Sequence, residues 1–315
     1  ETHLTERLLQ LAEGVHPCPP LDEPRAIAWS EEKIKLELAP AQREAIHGAL
    51  HSKVLVITGG PGVGKTTIIN AIIKIFLAKK LKVALCAPTG RAAKRMSETT
   101  GQPAKTIHRL LNFDASKGVF RHNEASPLEG DIFIADESSM LDILLAWSFI
   151  RAIPLHGALI LVGDVNQLPS VGPGTVLADI IRADVFSVCR LSHVFRQAAC
   201  SDIILNAHRI NEGHMPEFKA KGESTDFFFA EAAEPEAAQD KLVKMIVEAI
   251  PAKFGFDPMD DIQVITPMRR GILGAQNLNM VLQARLNPTD QFVERFGYQY
   301  RLGDKVMQIE NNYDK

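Results

Sequence analysis

The sequence predicts an α/β protein: a parallel sheet covered by helices, followed by a second, incomplete domain of the same rhythm. Three observations lead there. Short, wholly apolar segments of strand length recur at 54–58, 83–87, 132–135 and 158–162. Segments of helical periodicity separate them, and strands buried on both faces with helical crossovers make a parallel sheet. The first apolar segment runs directly into a glycine-rich stretch, Gly59-Gly60-Pro61-Gly62-Val63-Gly64-Lys65-Thr66, and then into another helical segment.

The bulk numbers permit this fold and remove other classes. The chain has 315 residues, 46% of them hydrophobic and 23% charged. That is an ordinary globular balance, long enough for about two domains. The four cysteines, Cys18, Cys86, Cys189 and Cys200, are scattered and form no C-x-x-C pair. This argues against a zinc ribbon or disulfide framework and fits a reducing cytoplasm. No apolar run reaches the roughly 18 residues of a membrane span, so no membrane partner is expected. A net charge of −3 gives no global basic field, although a local groove can still be basic.

Along the chain, Leu4, Leu8, Leu9 and Leu11 recur at helical spacing, and Pro17, Pro19 and Pro20 end that pattern. Residues 1–36 therefore read as the tail of a preceding helical domain plus a linker. Helices are expected at 41–50, 66–78, 91–99 and 141–150 between the strands already named. Residues 113–122, inside a stretch 112–125, break the rhythm. They read as a β-hairpin turning near Lys117-Gly118, or equally as a surface loop. A second rhythm follows residue 200: strands at 226–230, 262–266 and 305–309, with helices at 237–250 and 275–286. The chain begins at Glu1 without methionine and ends just after strand-like residues, so it reads as a piece of a longer protein.

The glycine-rich stretch fits G-x-x-x-x-G-K-[ST] in the strand-to-helix context that gives the motif meaning. Glycines let backbone N–H groups turn inward around phosphate oxygens, and the helix start adds its positive end. Lys65 is expected to reach the β- and γ-phosphates of a nucleoside triphosphate, most simply ATP, and Thr66 to ligate Mg²⁺. The 132–135 strand leads into Asp136-Glu137. Carboxylates at the carboxyl end of a buried strand stand where open α/β sheets place their sites. Asp136 suits the metal and Glu137 suits proton abstraction from water. After the next strand, Gln167 in Gly163-Asp164-Val165-Asn166-Gln167-Leu168-Pro169 is either a bridge to the phosphate or part of a polar loop. Arg91, Lys94, Arg95, Lys105 and Arg109 are opposed only by Glu98. They form a track for phosphates or a solvated helix face.

These blocks, taken with Ala87-Pro88-Thr89-Gly90-Arg91-Ala92-Ala93-Lys94-Arg95, Thr106-Ile107-His108-Arg109-Leu110-Leu111, Asp136-Glu137-Ser138-Ser139-Met140, Phe195-Arg196-Gln197 and Asn206-Ala207-His208-Arg209-Ile210-Asn211, come in a specific order. In that order the chain resembles the RecD-like helicases of superfamily 1, the stand-alone bacterial type, from about residue 36 onward. The resemblance implies two RecA-like domains, the first at 37–199 and the second, truncated, at 200–315. It implies a motor moving 5′ to 3′ on single-stranded DNA that offers a 5′ tail. It implies that Gln42 reads adenine, that Gln167 senses the γ-phosphate and that Arg196 contacts it from across a cleft. Phe195 then lies against the adenine ring or packs beneath it. The nucleotide is cradled by Gly59, Gly60, Pro61, Gly62, Val63, Gly64, Lys65, Thr66 and Thr67. The basic run becomes a DNA track, with Thr89, Thr106 and His108 as backbone contacts, and Arg269 and Arg270 supply contacts from the second domain. The helicase half of a conjugative relaxase, or a DNA-binding ATPase switch that does not unwind, stays open beside this reading. The family pattern continues past residue 315, so the second domain is expected to be incomplete and this chain alone to unwind little.

Overall fold

The computed structural model describes residues 1–191, 201–220 and 222–307. They divide into two compact units, Glu1–Phe227 and Phe228–Lys315.

The first unit is built on a six-stranded sheet in the order β3-β2-β6-β7-β1-β8. Its strands are β1 (Val54–Gly59), β2 (Val83–Ala87), β3 (Ala104–Thr106), β6 (Ile132–Ala135), β7 (Ala158–Gly163) and β8 (Ser187–Leu191). Every pairing is parallel, with Thr58 opposite Gly163 and Leu161 opposite Ala135. The strands alternate between two cores. Leu55, Ile57, Ile134, Ile160 and Val162 face one core; Val54, Val56, Phe133, Leu159 and Leu161 face the other. This is the period-2 geometry of a strand buried on both sides.

Helices cover both faces. On the first, α3 (Pro40–His51) and α4 (Lys65–Ala78) bury Ala45, Ile46, Ile68, Ile72 and Phe76. On the second, α7 (Ile143–Ala152) and α8 (Val176–Ala183) bury Phe149, Ile150 and Leu177. Residues 1–36, expected as tail and linker, also pack here. Leu4, Leu8 and Leu11 of α1 (Thr2–Ala12) join the second core. Ile27 and Trp29 of α2 (Glu23–Ile34) rest on the first. Burial of one leucine side chain contributes about 1.5–3 kcal/mol, so α1 is anchored by more than its sequence neighbours. The expected hairpin forms from β4 (Phe113–Asp114) and β5 (Val119–Phe120), just after the short α6 (Ile107–Leu110). Helix α5 (Gly90–Thr100) follows β2, and α9 (Asp202–Asn211) lies beyond the sheet in sequence.

The second unit departs from expectation. Residues 226–230 and 262–266 are not strands, nor are 305–307 of the stretch expected at 305–309, whose last two residues lie outside the described residues. A strand needs a hydrogen-bonded neighbour, and among the described residues none lies beside these segments. The helical stretch appears as α10 (Pro235–Lys244), a π-helical turn at Met245–Ala249 and α11 (Ile250–Phe254). Helix α12 (Ala275–Leu286) forms as expected, and an unexpected antiparallel hairpin pairs β9 (Phe292–Arg295) with β10 (Tyr298–Arg301).

Candidate functional site

The carboxyl ends of β1, β7 and β6, three neighbours in the sheet, deliver the glycine loop, Asp164 and Asp136 side by side. The loop is shaped by its glycines. Gly62 and Gly64 hold φ values of 75° and 80°, the left-handed region that side chains disfavour. A β-carbon on Gly59 would stand 2.6 Å from the Leu191 carbonyl oxygen. Val63, 2% exposed, anchors the loop in the core beneath it. Gln42 braces it from the side. Its Oε1 accepts from the Ala39 N–H at 3.0 Å, and its Nε2 donates to the Val63 carbonyl at 3.4 Å. Both ends of this buried amide are thus engaged by the protein's own backbone.

Lys65 opens α4 and folds back into the loop, donating to the Gly59 and Gly60 carbonyls at 2.5 and 2.8 Å. Burial pushes its ammonium below the usual lysine range, and the charges of Asp164, Glu137 and Asp136 oppose that shift. Among the described residues it forms no ion pair. An ammonium held by carbonyls and facing three carboxylates fits a polyphosphate with a divalent cation between them.

Asp136 and Glu137 differ in setting. Burial raises the Asp136 carboxyl above its usual range, against the pull of the Glu137 N–H, Lys65 and Arg95. That N–H donates to Asp136 Oδ1 at 2.9 Å. Glu137 is raised by burial and then by the neighbouring Asp136 charge. Its backbone sits at φ 53°, a left-handed conformation in a non-glycine residue. Such strain costs on the order of 1–3 kcal/mol and persists where the surroundings enforce it. Here it turns the chain from β6 into the 3₁₀ turn Ser138–Met140, which is tied back by Ser138 Oγ donating to the Ala135 carbonyl at 2.8 Å.

Three groups escaped the sequence reading of this site. Asp164, 2% exposed, exerts the largest charge effect on Lys65. Its signal was present: a carboxylate immediately after a buried strand, as at Asp136. Arg95 was assigned to the DNA track, yet its charge acts on Lys65, Asp136 and Glu137. His208 of α9 lies against Gly60, and its Nε2 is buried without a hydrogen-bond partner. No local pattern announces such a long-range approach.

The family model described as an AAA domain matches residues 42–173. The ATP-dependent RecD2 DNA helicase of Deinococcus radiodurans is 34% identical over 310 residues, covering 98% of this chain and 41% of that protein. The RecBCD enzyme subunit RecD of Haemophilus influenzae is 33% identical over 190 residues, covering 50% of this chain and 30% of that protein. Over these stretches the chain is similar to the RecD-like helicases of superfamily 1. It spans under half the length of these relatives. Pif1 helicase from Candida albicans matches with a TM-score of 0.44 and 24% identity, covering 58% of this chain and 46% of that one.

The remaining residues expected from the RecD-like pattern are distributed as follows. Thr66 and Thr67 follow Lys65 in the first turn of α4, half-buried. Gln167 lies in an exposed loop after β7, its N–H donating to the Asp164 carbonyl at 3.2 Å. Phe195 and Arg196 lie outside the described residues. Arg91, Lys94, Arg95, Lys105 and Arg109 are all exposed around α5, β3 and α6. The Thr89 and Thr106 hydroxyls cap α5 and α6, accepting from the Ala92 and Arg109 N–H groups at 3.3 and 3.2 Å. His108 is half-buried against the hairpin, its ring 5.7 Å from Phe113 and 5.5 Å from Phe120. Burial lowers its pKa, partly offset by Asp142. Arg269 and Arg270 are exposed on a loop of the second unit. Among the described residues no helix is long and apolar enough to cross a membrane.

Proposed function

We propose that this RecD-like chain carries the ATP-hydrolysing centre of a helicase that moves 5′ to 3′ on single-stranded DNA entered from a 5′ tail. The observation that carries the reading is Lys65. It is half-buried in a glycine loop at a helix start and faces Asp136, Glu137 and Asp164 without an ion pair among the described residues.

Lys65 and the loop N–H groups hold the β- and γ-phosphates of ATP, and Thr66 and Asp136 hold Mg²⁺. Bound Mg²⁺ supplies charge neutralisation on the transferred phosphoryl group. Glu137, its carboxyl raised above the usual range by burial and the Asp136 charge, accepts a proton from the attacking water. Gln167 and Arg196 report on and stabilise the γ-phosphate, Phe195 supports the base, and Gln42 acts through the loop it braces. Arg95 ties the nucleotide site to the basic track, because its charge reaches both carboxylates from the exposed face of α5. Arg91, Lys94, Lys105 and Arg109, with Thr89, Thr106 and His108, hold the DNA backbone, which salt should weaken. Arg269 and Arg270 add contacts from the second unit. The setting is the cytoplasm, in keeping with the free buried thiols of Cys18, Cys86 and Cys189.

The test is DNA-stimulated ATP hydrolysis by the full-length protein and its loss on removal of the Lys65 ammonium. Direction is read from duplexes bearing a 5′ or a 3′ tail.

A further inference from the structure

Away from the nucleotide site, three side chains with metal-ligand chemistry converge where α2 meets α3. Glu23 begins α2; His47 and His51 stand one turn apart on α3. His47 Nδ1 lies 3.0 Å from Glu23 Oε2 and 3.1 Å from Oε1, and His51 Nε2 lies 3.1 Å from Oε2. The two rings are 4.6 Å apart between centroids. One ligand atom from each residue falls within 4.8 Å of the others, the one such grouping of three among the described residues.

We propose that Glu23, His47 and His51 form a zinc-class metal site that staples α2 to α3. Two imidazole nitrogens and one carboxylate oxygen are a borderline donor set that favours Zn²⁺ and its late first-row neighbours over Mg²⁺ or Ca²⁺. Zinc bonds of about 2.0–2.1 Å place tetrahedral ligands about 3.4 Å apart. The two histidine-to-Glu23 separations therefore need to open by only a few tenths of an ångström, and the two imidazole nitrogens already lie within 4.8 Å of each other. Burial raises the Glu23 carboxyl, but the hydrogen bonds from His47 and His51 outweigh it and hold the carboxyl below its usual range. The carboxylate is thus available as a charged ligand. Coordination exchanges two N–H···O contacts for two N–metal bonds and one O–metal bond; each neutral ring then carries its single proton on the other nitrogen, Nε2 of His47 and Nδ1 of His51. The exposed side of the cluster leaves room for water to complete the coordination shell.

The staple has a mechanical consequence. The first turn of α3 carries Gln42, which braces the phosphate loop. Arg43 of that turn already pairs with Glu31 of α2 at 2.9 Å. Metal at the far end would clamp the same two helices a second time. The proposal does not depend on the helicase reading.

The test is calorimetric titration of the metal-stripped full chain with Zn²⁺ in excess Mg²⁺. One equivalent should bind and the melting temperature should rise. His47→Ala, His51→Ala and Glu23→Gln should each weaken binding more than about tenfold, the lower bound for disturbing even the outer shell of a metal site. X-ray absorption on the zinc-loaded wild type, which needs no variant, should show two imidazoles and no sulfur. No stoichiometric binding, affinity unchanged in the folded variants, or a sulfur ligand would each overturn the proposal.

Discussion

His208 lies against Gly60. A β-carbon on Gly60 would stand 3.0 Å from His208 Cε1 and 3.6 Å from Nε2. The second turn of α9 is thereby registered on the phosphate loop, at the one loop position where the histidine leaves no room. Gly60→Ala should destabilise the first unit by about 1–3 kcal/mol, the usual cost of overpacking. His208→Ala should relieve it. In a double-mutant cycle followed by denaturant unfolding, the coupling should exceed about 0.5 kcal/mol. Strictly additive effects would show that the two residues do not press on each other.

Glu137 is strained and carries its carboxyl above the usual range, chiefly through burial and then through Asp136. The folded chain therefore holds protons more tightly there than the unfolded chain. Stability from this group is fully present below the ordinary carboxylate pKa and is lost as pH rises through the raised one. Glu137→Gln removes the charge and keeps the shape. It should melt higher than wild type at neutral pH, with the gap closing once pH falls below about 4. ATP turnover should drop by about 10²–10⁴, the range for a general base. A variant with wild-type turnover would remove Glu137 from the chemistry.

His16 gives an acid-side prediction. Its Nδ1 accepts from the Cys18 N–H at 3.0 Å, which puts the proton on Nε2, and that nitrogen is buried without a partner. Burial first, then His51 and Lys53, lowers its pKa to about 4. The unfolded chain protonates near 6.5 and the folded chain does not, so stability should fall as pH drops from about 6.5 toward 4. His16→Gln should flatten that slope in a pH series of unfolding curves. An unchanged slope would place the acid sensitivity elsewhere.

The hairpin is a bolted projection. Phe113 and Phe120 pair across it with rings 5.0 Å apart, His108 sits beneath both, and Arg121 pairs with Asp114 at 3.2 Å. The exposed tip between them suits a wedge that splits a duplex. Shortening residues 115–118, while keeping both phenylalanines, should abolish unwinding by the full-length protein and spare DNA-stimulated ATP hydrolysis. Equal loss of both would sink the wedge.

Legibility in the sequence followed the range of the interactions. The sheet could be read because each buried strand carries its own apolar run, and the phosphate loop because its glycines answer a local backbone demand. The segment 226–230 misled because Phe227, Phe228 and Phe229 have strand composition, whereas pairing is decided by a neighbour elsewhere in the chain. The hairpin β9–β10 was missed for a local reason. Its turn, Phe296-Gly297, takes φ values of 53° and 76° at two successive residues. That turn geometry is ordinarily announced by Asn-Gly or Asp-Gly, not by phenylalanine. The placement of Arg95 and His208 around the loop was illegible because each depends on packing between distant segments.

The central claim is that the Lys65 loop hydrolyses ATP in response to DNA. The most direct measurement is the ATP hydrolysis rate of the full-length protein, with and without single-stranded DNA, beside Lys65→Ala. Strong stimulation by DNA, abolished in the variant while its fold is retained, is the predicted result. A rate indifferent to DNA, or one that survives loss of the Lys65 ammonium, would contradict the account.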